Sequence, residues 1–226
     1  KAVQDFMCRE FKLKRDKIPI IRRGLDIEYI DKFREDKELK QKHKDKVVLC
    51  YIGRLYKWKG LANAIEAYKH LPKDLQESSV FLIGGYGEDL ERLKKLSGNY
   101  LNKNIFFLGK IDYGKNFSVM KTSDIHIHSA YPGGGLSSTL LQFMYCKNAV
   151  VASPHEGAKE VIKNEKNGIL LNDNSIEGLK RGMQIAIGNK NLRDKYSKNA
   201  KKYIEDNFKW DRVVEDYERV LEEVLK

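Results

Sequence analysis

Short apolar runs alternate with amphipathic stretches through most of this chain. The run at 47–52 is apolar at every position, which is typical of a strand buried on both faces of a parallel sheet. After it, Leu61, Ala64, Ile65 and Tyr68 recur at helical spacing. The pattern predicts strands at 47–52, 80–83, 105–108, 124–128, 149–152 and 168–171. It predicts helices at 2–13, 27–43, 59–71, 90–96, 113–122, 140–144, 175–188, 190–206 and 210–225.

The regular alternation of strands and helices determines the predicted fold class. Strands that are each followed by a helix form right-handed βαβ units, which assemble into a doubly wound, Rossmann-like parallel sheet of the α/β class. In such a sheet ligands bind beyond the carboxyl ends of the strands. Gly53, Gly84 and Gly109 follow the first three strands directly. We therefore expect the functional site at this edge of the sheet.

A glycine loop follows the fourth strand and precedes an apolar helical run. Its three glycines, Gly133, Gly134 and Gly135, allow backbone N–H groups to approach a ligand closely because no Cβ intervenes. The start of a helix carries unpaired N–H groups and a partial positive charge. The loop therefore predicts an anion-binding site, although a tight turn would also need glycine.

Composition narrows the class of protein. The 226 residues are 41% hydrophobic, enough for a sizeable core, and no run approaches the ~20 apolar residues of a membrane span. The net charge of +11 comes from lysines interleaved with acids, as at 37–40, which is typical of a solvated surface. No RNA-recognition or zinc-finger pattern occurs, so we expect no nucleic acid partner. Cys8, Cys50 and Cys146 are far apart, which predicts reduced thiols in a cytoplasmic protein.

Seven motifs then occur in one order along the chain. They are Gly-Arg-Leu at 53–55 with Lys59-Gly60, the glycine turn at 82–87, Phe-Phe-Leu-Gly at 106–109, the helix and strand at 140–144 and 149–153, the segment 157–161, Asn167-Gly168, and Phe-Lys-Trp at 208–210. In these motifs the chain resembles the retaining nucleotide-sugar glycosyltransferases of family 4, which have the two-domain GT-B fold. The resemblance covers the chain from about residue 17 to its end.

The resemblance implies a division of the chain. Residues 1–26 are similar to the end of an N-terminal acceptor-binding domain and its connection, 27–209 to the nucleotide-sugar donor-binding domain, and 210–226 to the helix that crosses back. The implied activity is transfer of a hexosyl group, with retention, from a nucleotide-diphosphate sugar to an acceptor in glycan biosynthesis. The missing acceptor domain would be a partner, and this piece alone would be inactive. We expect the full-length protein in the cytoplasm, including the inner face of the membrane, and weak dimerisation of this piece through uncovered apolar surface.

The resemblance also assigns site residues. Arg54 and Lys59 match the cations that stabilise the leaving diphosphate without a divalent metal, so the nucleotide sugar is expected as a substrate and no cofactor is expected. Planar guanidinium and ammonium groups suit phosphate oxygens. The other residues matched to donor binding are Gly53 and Gly84 at strand ends, Gly109, Lys110 and Ile111 at the base, Gly133, Gly134, Gly135 and Leu136 as a phosphate cradle, Gln142 at the ribose, His155 at the sugar, and Glu160 beside that loop.

Two positions depart from the family pattern. The family carries two glutamates eight positions apart, and this chain has Gly134 and Gln142 there. Glutamine can still accept one hydrogen bond, without the charge. An unusual donor sugar is therefore favoured over loss of activity. A GT-B-type sugar-nucleotide epimerase and a non-catalytic nucleotide-binding domain stay open as alternatives. His126 and His128 share one strand face without an evident third ligand, which indicates core or rim histidines rather than a metal site.

Overall fold

The computed structural model describes residues 2–133 and 135–225. Its centre is a six-stranded, all-parallel sheet with the strand order β3-β2-β1-β4-β5-β6. The strands are β1 (Val47–Ile52), β2 (Ser79–Gly84), β3 (Ile105–Gly109), β4 (Ile125–His128), β5 (Ala149–Ala152) and β6 (Ile169–Leu170). The order reverses between β1 and β4, so the predicted doubly wound α/β fold is confirmed.

Helices cover both faces of the sheet. They are α1 (Ala2–Glu10), α2 (Ile27–Asp31), α3 (Lys37–Lys42), α4 (Leu61–Lys69), α5 (Lys73–Glu77), α6 (Leu90–Ser97), α7 (Tyr113–Thr122), α8 (Ser138–Tyr145), α9 (Glu156–Val161), α10 (Ile176–Gly188), α11 (Lys190–Asn207) and α12 (Trp210–Leu225). Successive β1 residues enter opposite cores, since side chains alternate across a strand. Cys50 packs with α7, α8 and α11, whereas Leu49 packs with α4, α6 and α10.

The predicted helix at 27–43 is wrong, because the segment forms two short helices, α2 and α3. The ammonium group of Lys121 donates to the carbonyl oxygens of Ile30 and Phe33, at 2.9 Å each, and so ends α2. Asp36 then starts a new helix, since its carboxylate accepts from the backbone N–H of Leu39 at 3.0 Å. A distant lysine and a local cap therefore break a stretch that has helical composition.

Several element ends also differ from the sequence prediction. The first helix stops at Glu10, and Lys12 adopts a positive φ of 53°. The helix predicted at 59–71 begins at Leu61, because a separate 3₁₀ turn occupies Lys57–Lys59. Two short helices, α5 and α9, were not predicted. These differences place Lys59 in a turn at the edge of the sheet rather than inside a helix.

Apolar side chains remain uncovered at both ends of the chain. On α12, Val213 is buried, whereas Trp210, Val214, Tyr217 and Leu221 form an exposed apolar stripe. Phe6 and Phe11 on and after α1 are exposed too. Weak self-association through this surface stays a prediction. None of the described helices combines the length and apolar character needed to cross a bilayer.

Candidate functional site

A cavity of about 280 Å³ opens at the carboxyl ends of β1 and β4, where the strand order reverses. Its walls come from three segments: 51–54 with Lys59, 128–130, and 137–139. Two larger hollows, of about 560 and 540 Å³, lie at the β6 edge and beside the amino end of β4. Parallel sheets bind ligands at the carboxyl ends, so the smaller cavity is the candidate site.

The loop after β1 is fixed by backbone contacts on both sides. The N–H of Gly53 donates to the carbonyl of Gly84 at 3.0 Å, which extends the ladder beyond the strand. Further along, the N–H of Tyr131 donates to the carbonyl of Trp58 at 3.0 Å, and the hydroxyl of Ser129 donates to the carbonyl of Lys59 at 3.0 Å. The 3₁₀ turn is thus tied to the end of β4, and the backbone of Lys59 is held in place.

Arg54 and Lys59 give the cavity two positive charges. The guanidinium carbon of Arg54 lies 5.3 Å from the centroid of the Tyr56 ring, and the ammonium nitrogen of Lys59 lies 3.9 Å from that of Trp58. Neither cation has a carboxylate partner within residues 2–133 and 135–225. Burial lowers the pKa of Lys59 from its ordinary value of 10.5, and the charge of Arg54 lowers this pKa further. An anion bound between them would offset this repulsion.

The start of α8 forms the opposite wall. Ser137 caps the helix, since its hydroxyl accepts from the N–H of Leu140 at 3.4 Å. The N–H groups of Ser138 and Thr139 stand in the first turn, where a helix offers no acceptor of its own. Arg23 adds a third cation, because its guanidinium donates to the hydroxyl of Ser138. Arg23 and residues 137–139 were not among the site residues predicted from the sequence, although Ser-Ser-Thr before an apolar run is a recognisable helix start.

The predicted phosphate cradle lies beside this wall rather than in it. Gly133, Gly135 and Leu136 do not line the cavity, and Gly134 lies outside the described residues. The N–H of Gly133 donates to both carboxylate oxygens of Glu156, at 3.2 and 3.1 Å. Hydrogen bonds from backbone N–H groups hold the pKa of Glu156 below its usual range. The larger effect comes from its own N–H at the start of α9, and the next from the N–H of Gly133. The carboxylate of Glu156 is therefore already the acceptor of this loop amide.

Gly84 ends β2, and the segment expected to hold the base, 109–111, begins at the last residue of β3. Gly84 leaves room for Ile111, since a Cβ on Gly84 would lie 2.5 Å from the Ile111 Cδ1 atom. Gly109 has a φ of +69° with open space around it, and the Lys110 ammonium nitrogen lies 5.7 Å from the Tyr86 ring centroid. These residues are on the β3 side of Arg54 and Lys59, outside the cavity lining.

Gln142 and Glu160 lie outside the cavity lining. Gln142 is buried on α8 and its amide donates to the hydroxyl of Tyr113 at 3.4 Å. Glu160 is half-buried on the second turn of α9, where its charge contributes to the raised pKa of Tyr203 on α11 after the larger effect of burial. Neither residue lines the cavity.

Three histidines lie together between the ends of β4 and β5. His126 is stacked on Phe143 at a centroid distance of 3.8 Å, and His128 forms part of the cavity wall. His155, predicted to meet the sugar, has its ring centroid 4.8 Å from that of His128. Burial lowers the pKa of all three, that of His126 to about 3. In the described part of the chain, no three His, Cys, Asp or Glu side chains are arranged to hold a metal ion.

Asn174 connects the ends of β4 and β5 beneath the cavity. Its amide donates to the carbonyl of Ser129 at 2.8 Å, and its side-chain oxygen accepts from the hydroxyl of Ser153 at 2.6 Å. No pattern in the sequence indicated this residue, because it follows the short strand β6 and reaches the site only through the tertiary fold. The loops that line the cavity are therefore fixed to one another.

Comparisons with known proteins agree with this fold. The family model described as "Glycosyl transferases group 1" matches residues 32–203. An uncharacterized glycosyltransferase of Methanocaldococcus jannaschii is 55% identical over 225 residues, covering 100% of this chain and 57% of that protein. The chain thus spans little more than half the length of this curated relative.

Two solved structures share the architecture. Anabaena HepE in complex with UDP matches with a TM-score of 0.82 and 19% identity, covering 99% of this chain and 61% of that one. HepE has also been solved in complex with UDP-glucose. The C-terminal domain of LpcC, a group 1 glycosyl transferase of Francisella tularensis, matches with a TM-score of 0.70 and 24% identity, covering 83% of this chain and 100% of that domain. The match of the family model to residues 32–203 and the 55% identical relative show that the chain belongs to the glycosyl transferases of group 1.

Proposed function

We propose that this chain binds the nucleotide-diphosphate sugar for a hexosyltransferase that retains the anomeric configuration. One observation carries the proposal: Arg54 and Lys59, both without carboxylate partners among the described residues, share one cavity with the first turn of α8. Fixed cations and free N–H groups together suit a diphosphate. Family membership and the UDP found in HepE support the same ligand class.

The chemistry asked of these residues is charge stabilisation. When the bond between the anomeric carbon and the diphosphate oxygen breaks, negative charge grows on the leaving diphosphate. Donors that are already oriented towards this charge stabilise the transition state without reorganisation. Arg54 can offer two parallel N–H groups and Lys59 a point charge, and the amides of Ser138 and Thr139 add neutral donors. No divalent metal or cofactor is required in this proposal.

The strand order suggests how the ligand lies. The cations follow β1, Gly109 and Ile111 follow β3 on one side, and His155 follows β5 on the other. A diphosphate at the cations would place the base over the β3 side, near Gly53 and Gly84, and the sugar over the β5 side. The glycine loop and Leu136 would close over the phosphates, and Gln142 and Glu160 would act from behind the cleft.

The proposal also assigns each part of the chain to a domain of the full-length enzyme. Residues 1–26 would end an acceptor-binding domain, 27–209 would form the donor domain, and 210–226 would cross back. The complete match to the C-terminal domain of LpcC supports this division. The exposed stripe on α12 would meet the acceptor domain, in an enzyme that works in the cytoplasm or at the inner face of the membrane.

A calorimetric screen tests the proposal directly. We expect the 226-residue chain to bind UDP or GDP and the matching sugar nucleotide with the same affinity in Mg²⁺ and in EDTA, because the protein's own cations offset the phosphate charge. With sugar acceptors added, we expect no turnover, since donor and acceptor must be held together for transfer. Loss of binding in EDTA, or binding of neither diphosphate, would contradict the proposal.

Product analysis with the full-length protein separates the two alternatives. A non-catalytic nucleotide-binding domain would bind the diphosphate, but the full-length protein would release no glycosylated product from any sugar nucleotide that binds. An epimerase would convert the sugar without an acceptor, and product analysis would show the epimer. The glycosyltransferase is favoured because its family model matches 32–203.

The lowered pKa of Lys59 predicts a pH effect on binding. The charged form binds the diphosphate, so affinity should fall as pH rises through a pKa that lies below 10.5. UDP should raise this pKa, and calorimetry in buffers of different ionisation enthalpy should therefore show proton uptake on binding at alkaline pH. Lys59→Arg is the matched control, because arginine keeps its charge above pH 12. If the variant and the original chain lose affinity at the same pH, another group is responsible.

A further inference from the structure

We infer that His128 accepts a hydrogen bond from a hydroxyl of the sugar carried by the bound nucleotide, and that His126 fixes His128 in the accepting form. The inference deepens the proposed function and rests on it for the ligand. It assigns a specificity role to a strand residue and a positioning role to its neighbour. Its basis is a chain of contacts from the backbone of β1 to the wall of the cavity.

The first link fixes the proton on His126. Its Nδ1 atom lies 3.1 Å from the carbonyl oxygen of Cys50, in the strand pair where Cys50 lies opposite His126. A carbonyl oxygen only accepts, so Nδ1 carries the hydrogen. His126 is fully buried and its pKa falls to about 3, so the ring is neutral at ordinary pH. Its Nε2 atom therefore carries a lone pair and acts as an acceptor.

The second link determines which ring nitrogen of His128 carries the hydrogen. The Nε2 atom of His126 lies 3.2 Å from Nδ1 of His128. Two lone pairs would repel at this distance, so His128 must donate from Nδ1. Burial lowers the pKa of His128 well below its ordinary value, and the charge of Lys59 acts in the same direction. A neutral ring with its hydrogen on Nδ1 has an unprotonated Nε2, which can only accept.

That Nε2 atom has no partner in the described chain. His128 is 6% exposed and lines the cavity, so the missing donor is most simply supplied by a ligand. The Ser129 hydroxyl donates to the carbonyl of Lys59, and the ammonium group of Lys59 lies over Trp58. The ring of His155 lies beside that of His128, but no hydrogen bond joins the two in the described chain. Buried acceptors are normally satisfied, so an unsatisfied one on a residue that lines a cavity calls for a partner.

The chemistry and the position both point to a sugar hydroxyl. A phosphate has no hydrogen to donate at neutral pH, whereas every hexose hydroxyl does. His128 lies on the β5 side of Arg54 and Lys59, opposite to the base side, and His155 lies beside it with both ring nitrogens unpartnered. His128 thus brings an unpartnered nitrogen to the side of the cavity where the transferred sugar would rest, and His155 packs beside it.

Nitrogen NMR of the ¹⁵N-labelled chain tests the tautomers without any ligand. We expect His126 and His128 to be neutral from pH 6 to 8 with the hydrogen on Nδ1. In His126→Phe, which keeps a ring on Phe143, His128 should lose its enforced tautomer and show hydrogen on Nε2. A hydrogen on Nε2 of His128 in the original chain, or an unchanged His128 tautomer in the variant, would overturn the positioning role.

Binding of matched ligand pairs tests the sugar contact. We expect His128→Leu to weaken UDP-glucose or GDP-mannose, whichever binds the original chain, by roughly twofold to tenfold, and to leave UDP or GDP unchanged. His128→Gln, which offers an amide oxygen, should recover part of the loss. The Nε2 resonance of His128 should shift with the sugar nucleotide and stay unshifted with the diphosphate.

The outcomes separate this inference from the function on which it rests. Equal losses for the sugar nucleotide and for its diphosphate, or no Nε2 shift on saturation, would overturn the sugar contact and leave the diphosphate site intact. Binding of neither diphosphate would instead overturn the proposed function. If His128→Leu fails to fold, the Nε2 shift in the original chain still decides the matter.

Discussion

Replacing both Arg54 and Lys59 with alanine should abolish measurable binding of the nucleoside diphosphate. Hydrogen bonds to charged groups contribute about 1.5–3 kcal/mol each, so each single substitution should weaken binding roughly tenfold to a hundredfold. The double substitution should cost on the order of 3–6 kcal/mol if the effects add, although neighbouring charges couple. Calorimetric titration of the four proteins with UDP and GDP measures all of these changes.

Lys57 provides a matched control for this experiment. It lies in the same 3₁₀ turn as Lys59 but is exposed and does not line the cavity. Lys57→Ala removes the same charge from the same loop, so a general effect of net charge on an anionic ligand would appear there too. We expect less than a twofold change, as for an exposed charge. A double Arg54 and Lys59 variant that binds like Lys57→Ala would show that the diphosphate lies elsewhere.

Salt dependence gives a second readout from the same proteins. Contacts between fixed cations and a diphosphate weaken as ionic strength rises, because screening acts on the charges that remain exposed to solvent. Arg54 is exposed whereas Lys59 is half-buried. We therefore expect Lys59→Ala to keep a steeper salt dependence than Arg54→Ala.

The sheet could be predicted from the sequence because its signal is local. Each strand is a run of apolar residues with turn residues at its ends, and every predicted strand forms, the last one shortened to Ile169–Leu170. The carboxyl-end glycines could be found in the same way. The break between α2 and α3 could not, since the lysine that causes it lies on α7, more than eighty residues away.

In the candidate site, too, the residues marked by a local motif could be predicted and those that depend on strand pairing could not. Arg54 and Lys59 were found from a motif, and both line the cavity. The accepting form of His128 depends on the strand pair that places Cys50 beside His126, and no local pattern carries this register. The sequence indicated two histidines on one strand face but not that one would fix the proton of the other.

At the start of α8 the sequence prediction was displaced by a few residues. The phosphate cradle was predicted at 133–136 because of three glycines. In the structure the helix begins at Ser138 and the cavity is lined by 137–139. Glycine marks where the backbone can turn, but a capping hydroxyl marks where the helix begins. Ser137 was the more informative residue.

Gly60→Ala should cause a large loss of stability beside the site. Gly60 has a φ of +67° and ends the turn that carries Lys59. A left-handed conformation costs a residue with a Cβ about 1–2 kcal/mol. The added Cβ would also lie 2.0 Å from the carbonyl oxygen of Ser129 and 2.8 Å from the amide nitrogen of Asn174. It would therefore force apart the hydrogen bond that joins these two residues.

Gly109 separates the two contributions. Its φ of +69° nearly equals that of Gly60, but no atom lies within 4 Å of the Cβ that alanine would add. Gly109→Ala should therefore lower the free energy of unfolding by only about 1–2 kcal/mol, the cost of the dihedral angle. Gly60→Ala should lower it by about 3 kcal/mol or more, since overlap in a packed region adds 1–3 kcal/mol. Urea unfolding followed by circular dichroism measures both, and UDP titration should show weakened binding for Gly60→Ala because the turn that holds Lys59 has moved. Equal losses of stability in the two variants would mean that the contact between Gly60 and Ser129 is not rigid, and that the loops around the cavity can separate at little cost.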